Sequence, residues 1–164
     1  MDVPLWVSVP QQFAAPREVD VARGVRRELR RPDIDRHLQP GLSVALGVGS
    51  RGLASLQEIV ATTVEVLKRA GCHPFIVAAM GSHGGATSEG QRELLAGYGI
   101  TPESMGVEVR TAMETVVLGT SPIGLPIHFH KNAHEADGIV ILNRVITHTD
   151  FPPCFASGVS QRMV

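Results

Sequence analysis

An α/β fold, with a Rossmann-like, partly parallel sheet flanked by helices, is what three observations in this sequence predict. Three apolar runs of strand length, Leu42–Leu46, Phe75–Met80 and Ile139–Leu142, each empty into a turn. Between the first two, Leu56, Ile59, Val60, Val64 and Leu67 recur at helical spacing within Leu53–Ala70. The first two runs discharge into Gly47-Val48-Gly49-Ser50-Arg51-Gly52 and Gly81-Ser82-His83-Gly84-Gly85. A strand, a glycine turn and a helix start form the unit that gathers ligands at the carboxyl ends of parallel strands.

The remaining elements follow in chain order. Leu5–Val9 reads as a short edge strand ended by Pro10, and Pro16–Arg31 as a helix with Val21, Val25 and Leu29 on one face. Pro32 stops that helix, and Pro40-Gly41 marks a turn. After the second glycine turn, Ser88 and Gln91 have capping-box spacing, so a helix is expected over Glu89–Ala96, ending at Gly97 or Gly99. Thr101-Pro102-Glu103 predicts a short capped helical turn. Glu108–Arg110 and Thr115–Leu118 read as short strands, and Gly119–Pro126 as a hairpin-like turn into Ile127–His130. Antiparallel additions are therefore expected around residues 107–130. Residues 1–153 form one domain on this reading, and 154–164, after Pro152-Pro153, an irregular tail.

Composition narrows the function classes. Fifteen basic against sixteen acidic residues give a net charge of −1, which argues against nucleic acid or an anionic membrane surface as the partner. Seven of the thirteen arginines fall in the first 36 residues, but Glu18, Asp20 and Glu28 are interspersed, as on a solvated helix face. No run approaches the roughly 20 apolar residues of a membrane span, and the N-terminus has no basic start followed by an apolar core. Cys72 and Cys154 stand far apart, as reduced cytoplasmic thiols do.

The candidate chemistry lies in the turns. If the three apolar strands are neighbours, their carboxyl ends bring Arg51, His83 and His148 to one rim. Imidazoles titrate near neutral pH and serve as acid and base in turn, while an arginine suits a carboxylate or phosphate. Gly47-x-Gly49-x-x-Gly52 resembles a dinucleotide fingerprint, but the acidic residue expected at the end of the next strand is absent. The alternatives are a tight βα turn, or an anion cradle in which Gly49, Ser50 and Ser82 join Arg51. A competing cluster is His128, His130 and His134: residues two apart share a strand face, yet the spacing matches no tight zinc signature. No metal ligand is assigned.

Gly81-Ser82-His83-Gly84-Gly85-Ala86-Thr87, Gly49-Ser50-Arg51-Gly52 and Asn143-Arg144-Val145-Ile146-Thr147-His148-Thr149-Asp150-Phe151 together resemble the N-terminal domain of the nickel-dependent lactate racemase family, in the branch described only as a domain of unknown function. The resemblance covers nearly the whole chain. It implies a 2-hydroxy-acid racemase or epimerase whose nickel-pincer nucleotide accepts a hydride while two histidines exchange the hydroxyl proton. By motif position those would be His83 and His148, with Arg51 binding the anion. The lactate racemases proper carry an acid three residues before that arginine, where this chain has Val48. In the family a lysine anchoring the cofactor follows a Ser-Gly pair; here Ser157-Gly158 leads to Gln161. The resemblance also implies a second domain, which these residues do not contain. A fragment, a frameshifted product and a stand-alone domain are the three readings of that difference. The expected ligand is a small 2-hydroxy acid or a nucleotide, with homo-oligomerisation open. Retention of the cofactor is not expected, and the alternative function is a non-catalytic anion- or nucleotide-binding domain.

Overall fold

The computed structural model describes residues 20–50 and 52–144. Helices α1 (Val21–Leu29) and α2 (Pro32–Asp35) lead into β1 (Ser43–Val48), α3 (Leu56–Arg69) and β2 (His73–Ala78). A 3₁₀ turn at Gly84–Ala86 precedes α4 (Ser88–Gly97) and α5 (Pro102–Met105). Then come β3 (Val109–Arg110), β4 (Thr115–Thr120), β5 (Pro126–His130), α6 (Lys131–His134) and β6 (Gly138–Leu142). The expected strand Leu5–Val9 and the tail lie outside the described residues, whereas the first helix, expected from Pro16, starts at Val21, because Asp20 is extended and caps it by accepting the Arg23 N–H at 2.8 Å.

Four strands form a parallel sheet in the order β3-β2-β1-β6, and β4 pairs antiparallel with β5 in a separate hairpin. Parallel neighbours need a crossover, which α3 provides between β1 and β2. The register sets Leu46 beside Ile76 on one side and Val140 on the other. Because side chains alternate, Val44, Leu46, Val48, Ile76 and Ala78 form one face and pack with Val60, Val64 and Leu67 of α3 and Leu95 of α4. Ala45, Phe75 and Val77 form the other, covered by Ala133 of α6 and by Phe129. The longer helices thus crowd one face, while α6 and the hairpin cover the other only in part. Ile139 remains 44% exposed there.

Several boundaries differ from the expected ones for identifiable reasons. Helix α3 starts at Leu56 rather than Leu53, because Ser55 has a left-handed backbone (φ 56°) and Gly52 also has positive φ. Strand β2 begins two residues before the apolar run, at His73, whose N–H donates to Leu42 O at 2.7 Å. Met80 is buried but sits in the following loop. Pro32 ends α1 as expected and then occupies the first turn of α2, a position that needs no N–H. Strand β4 runs two residues further than expected, and a bulge between Val117 and Gly119 absorbs the irregularity. Helix α1 lies against α3, where Arg26 pairs with Glu65 at 2.8 Å, so part of its basic face is spent inside the domain.

Asp137 fastens β6 to β1. Its carboxylate accepts the Ser43 hydroxyl at 2.7 Å and the Ser43 N–H at 2.9 Å. These two bonds, the hydroxyl first, hold its pKa below the ordinary aspartate value. A depressed carboxylate pKa stabilises the fold above the unfolded value, and that stability is lost as pH falls through the folded value. Asp137→Asn is therefore expected to lower the urea midpoint at neutral pH and to match the parent more closely near pH 3. A gap that stays constant across that range would contradict the assignment.

Candidate functional site

Because β2, β1 and β6 are parallel neighbours, the loops after Ala78, Val48 and Leu142 leave from one edge of the sheet. Gly49 and Ser50 follow β1, Gly81, Ser82 and His83 follow β2, and Asn143 and Arg144 follow β6. The structure brings His83 and Ser50 together, with Ser50 Oγ 2.5 Å from His83 Nδ1. Gly49 is buried beside them and Ser82 is exposed. Arg51 and His148 lie outside the described residues.

The loop carrying His83 is built from unusual backbone. Gly81, Gly84 and Gly85 have positive φ, and so does Ala86 at 54°, a conformation that costs an alanine about 1–2 kcal/mol. Such strain persists where the surroundings over-determine it. Here Gln91, only 2% exposed, donates from Nε2 to Gly81 O at 2.8 Å and to His83 O at 3.4 Å. Thr87 Oγ1 donates to Gly84 O at 3.0 Å and accepts the Gly90 N–H at 3.1 Å.

Those contacts correct the expected capping box. The N-cap of α4 is Thr87, not Ser88, whose hydroxyl is 2.9 Å from Thr111 Oγ1. Gln91 is a buried brace of the histidine loop rather than a cap. Its position was a signal: Gln91 and Leu95 are four apart, so an amide sits on the stripe that faces the core. A reciprocal capping box does occur, between Thr101 and Ser104 of α5.

His83 opens on a cavity of about 600 Å³ over the less covered face of the sheet. Its wall is mainly apolar, from Val77, Met113, Phe129, Ile139 and Ile141, and sequence reasoning did not find it. His128 and His130 of β5 also line it, on either side of Phe129, while His134 does not. Among the described residues the Nδ1 of His130 is buried without a partner, and burial pushes this imidazole's pKa down. His128 Nδ1 lies 3.1 Å from Thr115 Oγ1. Among the described residues no three His, Cys, Asp or Glu side chains converge to hold a metal ion.

In parallel α/β sheets small-molecule sites are commonly built beyond the carboxyl ends of the strands, and His83 stands on that edge. The model of the lactate racemase N-terminal domain matches residues 10–155, and the chain belongs to that family. No curated protein gives a significant match to the chain. At family level a nickel-pincer nucleotide is the implied cofactor. The amines of this chain do not fit its covalent attachment. Lys68 and Lys131 are the only lysines; the first donates to Gly106 O at 2.6 Å, the second pairs with Glu114 at 2.7 Å, and neither lines the cavity.

Proposed function

We propose that this chain supplies the substrate-binding and proton-handling side of a 2-hydroxy-acid racemase or epimerase, and that these 164 residues alone bind without turning over. The observation that supports the reading is His83 on the cavity rim with Nδ1 engaged, which leaves Nε2 to exchange a proton with a substrate hydroxyl. Among the described residues Nε2 has no partner of its own. Racemisation also requires hydrogen to leave a carbon that is not acidic. Side chains transfer protons but do not store a hydride, a task that belongs to a cofactor. With both lysines engaged elsewhere, no step through the family's cofactor is assigned to this chain. A small 2-hydroxy acid is the proposed ligand, in a cytoplasmic setting where Cys72 stays reduced. Among the described residues no helix is long and apolar enough to cross a membrane.

The engaged lysines also favour a second reading, a non-catalytic domain that binds anions or nucleotides. One experiment separates the two. Lactate and bulkier 2-hydroxy acids are titrated into the purified chain with histidine ring signals as the readout, and chirality is followed in parallel. The expected result is no interconversion, with binding that perturbs the His83 ring and weakens about tenfold in His83→Ala, the worth of one lost hydrogen bond. Binding indifferent to His83→Ala would favour the second reading. Turnover by the purified chain, abolished by His83→Ala, would overturn the claim that it is inactive alone.

A further inference from the structure

Ser50 leaves the end of β1, where the sequence pattern suggested an anion cradle, yet its hydroxyl is directed to a side chain 33 positions away. We propose that Ser50 is a positioning residue for His83, holding the ring through Nδ1 so that Nε2 faces the cavity. The inference rests on the reading of His83 as the proton-handling group.

Geometry supports it from both ends of the contact. Ser50 is fixed from behind, because the Tyr98 hydroxyl donates to Ser50 O at 2.9 Å. Tyr98 closes α4, and Gln91 of the same helix donates to His83 O. One helix therefore sets both partners, and the strained 81–86 loop cannot shift without breaking its contacts to that helix. An imidazole left on such a loop with only backbone restraint would rotate about its side-chain bonds. The Ser50 bond removes that freedom.

The chemistry of the partner also matters. A serine hydroxyl is neutral and both donates and accepts. When the ring carries a proton on each nitrogen, and when Nε2 has given its proton up and only Nδ1 carries one, Nδ1–H donates to Oγ; in the other neutral tautomer the hydroxyl donates to Nδ1. The same contact therefore survives both protonation states. A carboxylate in its place accepts only and favours the charged ring. A hydroxyl suits a histidine that must take up a proton and return it.

The test is histidine ring ¹⁵N spectroscopy on the purified chain, with the His83 signals assigned by their loss in His83→Gln. In the parent the neutral His83 ring is expected to carry its proton on Nδ1, donated to Ser50 Oγ, which leaves Nε2 able to accept. Ser50→Ala should move the ring toward the tautomer mixture of free imidazole, while Ser50→Thr, which keeps the oxygen, should restore the parent pattern. Ser50→Asp should raise the His83 midpoint by about one pH unit or more. Backbone amide spectra report whether each variant is folded. If Ser50→Ala fails to fold, the Thr and Asp variants decide the question. Ring shifts and titration left unchanged by both Ala and Asp would overturn the proposal, as would a changed ring in Ser50→Thr. No substrate is needed, so a chain that binds no 2-hydroxy acid can still show the Ser50 effect, and the two failures are distinguishable.

Discussion

Replacing Gly90 by alanine is expected to destabilise the domain by about 3 kcal/mol, at the top of the usual range for overpacking. A Cβ at Gly90 overlaps the Gly84 carbonyl oxygen, and it lies 2.8 Å from Gly84 C and 2.9 Å from Thr87 Oγ1. The Gly84 atoms are backbone of the histidine loop and cannot rotate away, and Thr87 Oγ1 is held there as the cap of α4. Moving Gly84 is costly as well, because it sits at φ 66° with its own Cβ position 2.6 Å from Gln91 N. The chain must then either unwind the start of α4 or release the 81–86 loop, and in the second case the braced geometry of His83 is lost. Gly97→Ala is the control, since a Cβ there meets nothing within 4 Å and the residue is helical. It should gain about 0.5–1 kcal/mol from helix propensity. Urea unfolding of the two variants side by side checks this. Equal stability of Gly90→Ala and the parent would show that the loop and helix are not in the tight contact described.

The two kinds of information in the sequence explain which parts of this picture were legible there. The parallel layer was legible because buried strands read as short apolar runs and α3 carries a helical stripe, and both patterns come from burial, which is written in residue type. The hairpin after Arg110 was legible from turn chemistry at Ser121 and Gly124, where Gly124 N–H donates to Ser121 O at 2.9 Å. Boundaries were less so. The start of α3 depends on the left-handed backbone of Ser55, which no local propensity announces. The placement of His83 at the carboxyl edge was readable from strand order, but its partner was not. Ser50 and His83 meet only because β1 and β2 are adjacent, and a serine after a strand looks the same whether it faces an anion or an imidazole. The apolar cavity was hidden for a similar reason. Met113 precedes β4, Phe129 lies in β5 and Ile139 in β6, and their common wall exists only once the hairpin folds across the sheet.

Leu46→Ala is expected to cost about 3–4 kcal/mol, within the range measured when a buried leucine is cut back to alanine. Leu46 is fully buried at the middle of β1, a central strand, and shares its face with Ile76, Val60, Val64 and Leu67. Two neighbouring strands and α3 hold the space around it, so the backbone has little room to collapse into the cavity left behind. For a chain of this length the thermal midpoint should fall by about 10 °C. Leu46→Ile keeps the volume and should cost less than about 1.5 kcal/mol. The consequence for the site is the informative part. Leu46 points to the helix-covered face, whereas the next residue, Gly47, lines the cavity beside His83 on the other face. The two layers meet only through the strand backbone. In the folded population of Leu46→Ala the His83 ring signals should therefore match the parent, although Gly90→Ala, at comparable cost, disturbs them. A loss under about 1 kcal/mol would mean that the core relaxes around the truncation. A shifted His83 ring in folded Leu46→Ala would mean that the helix-side core and the site are mechanically coupled through β1.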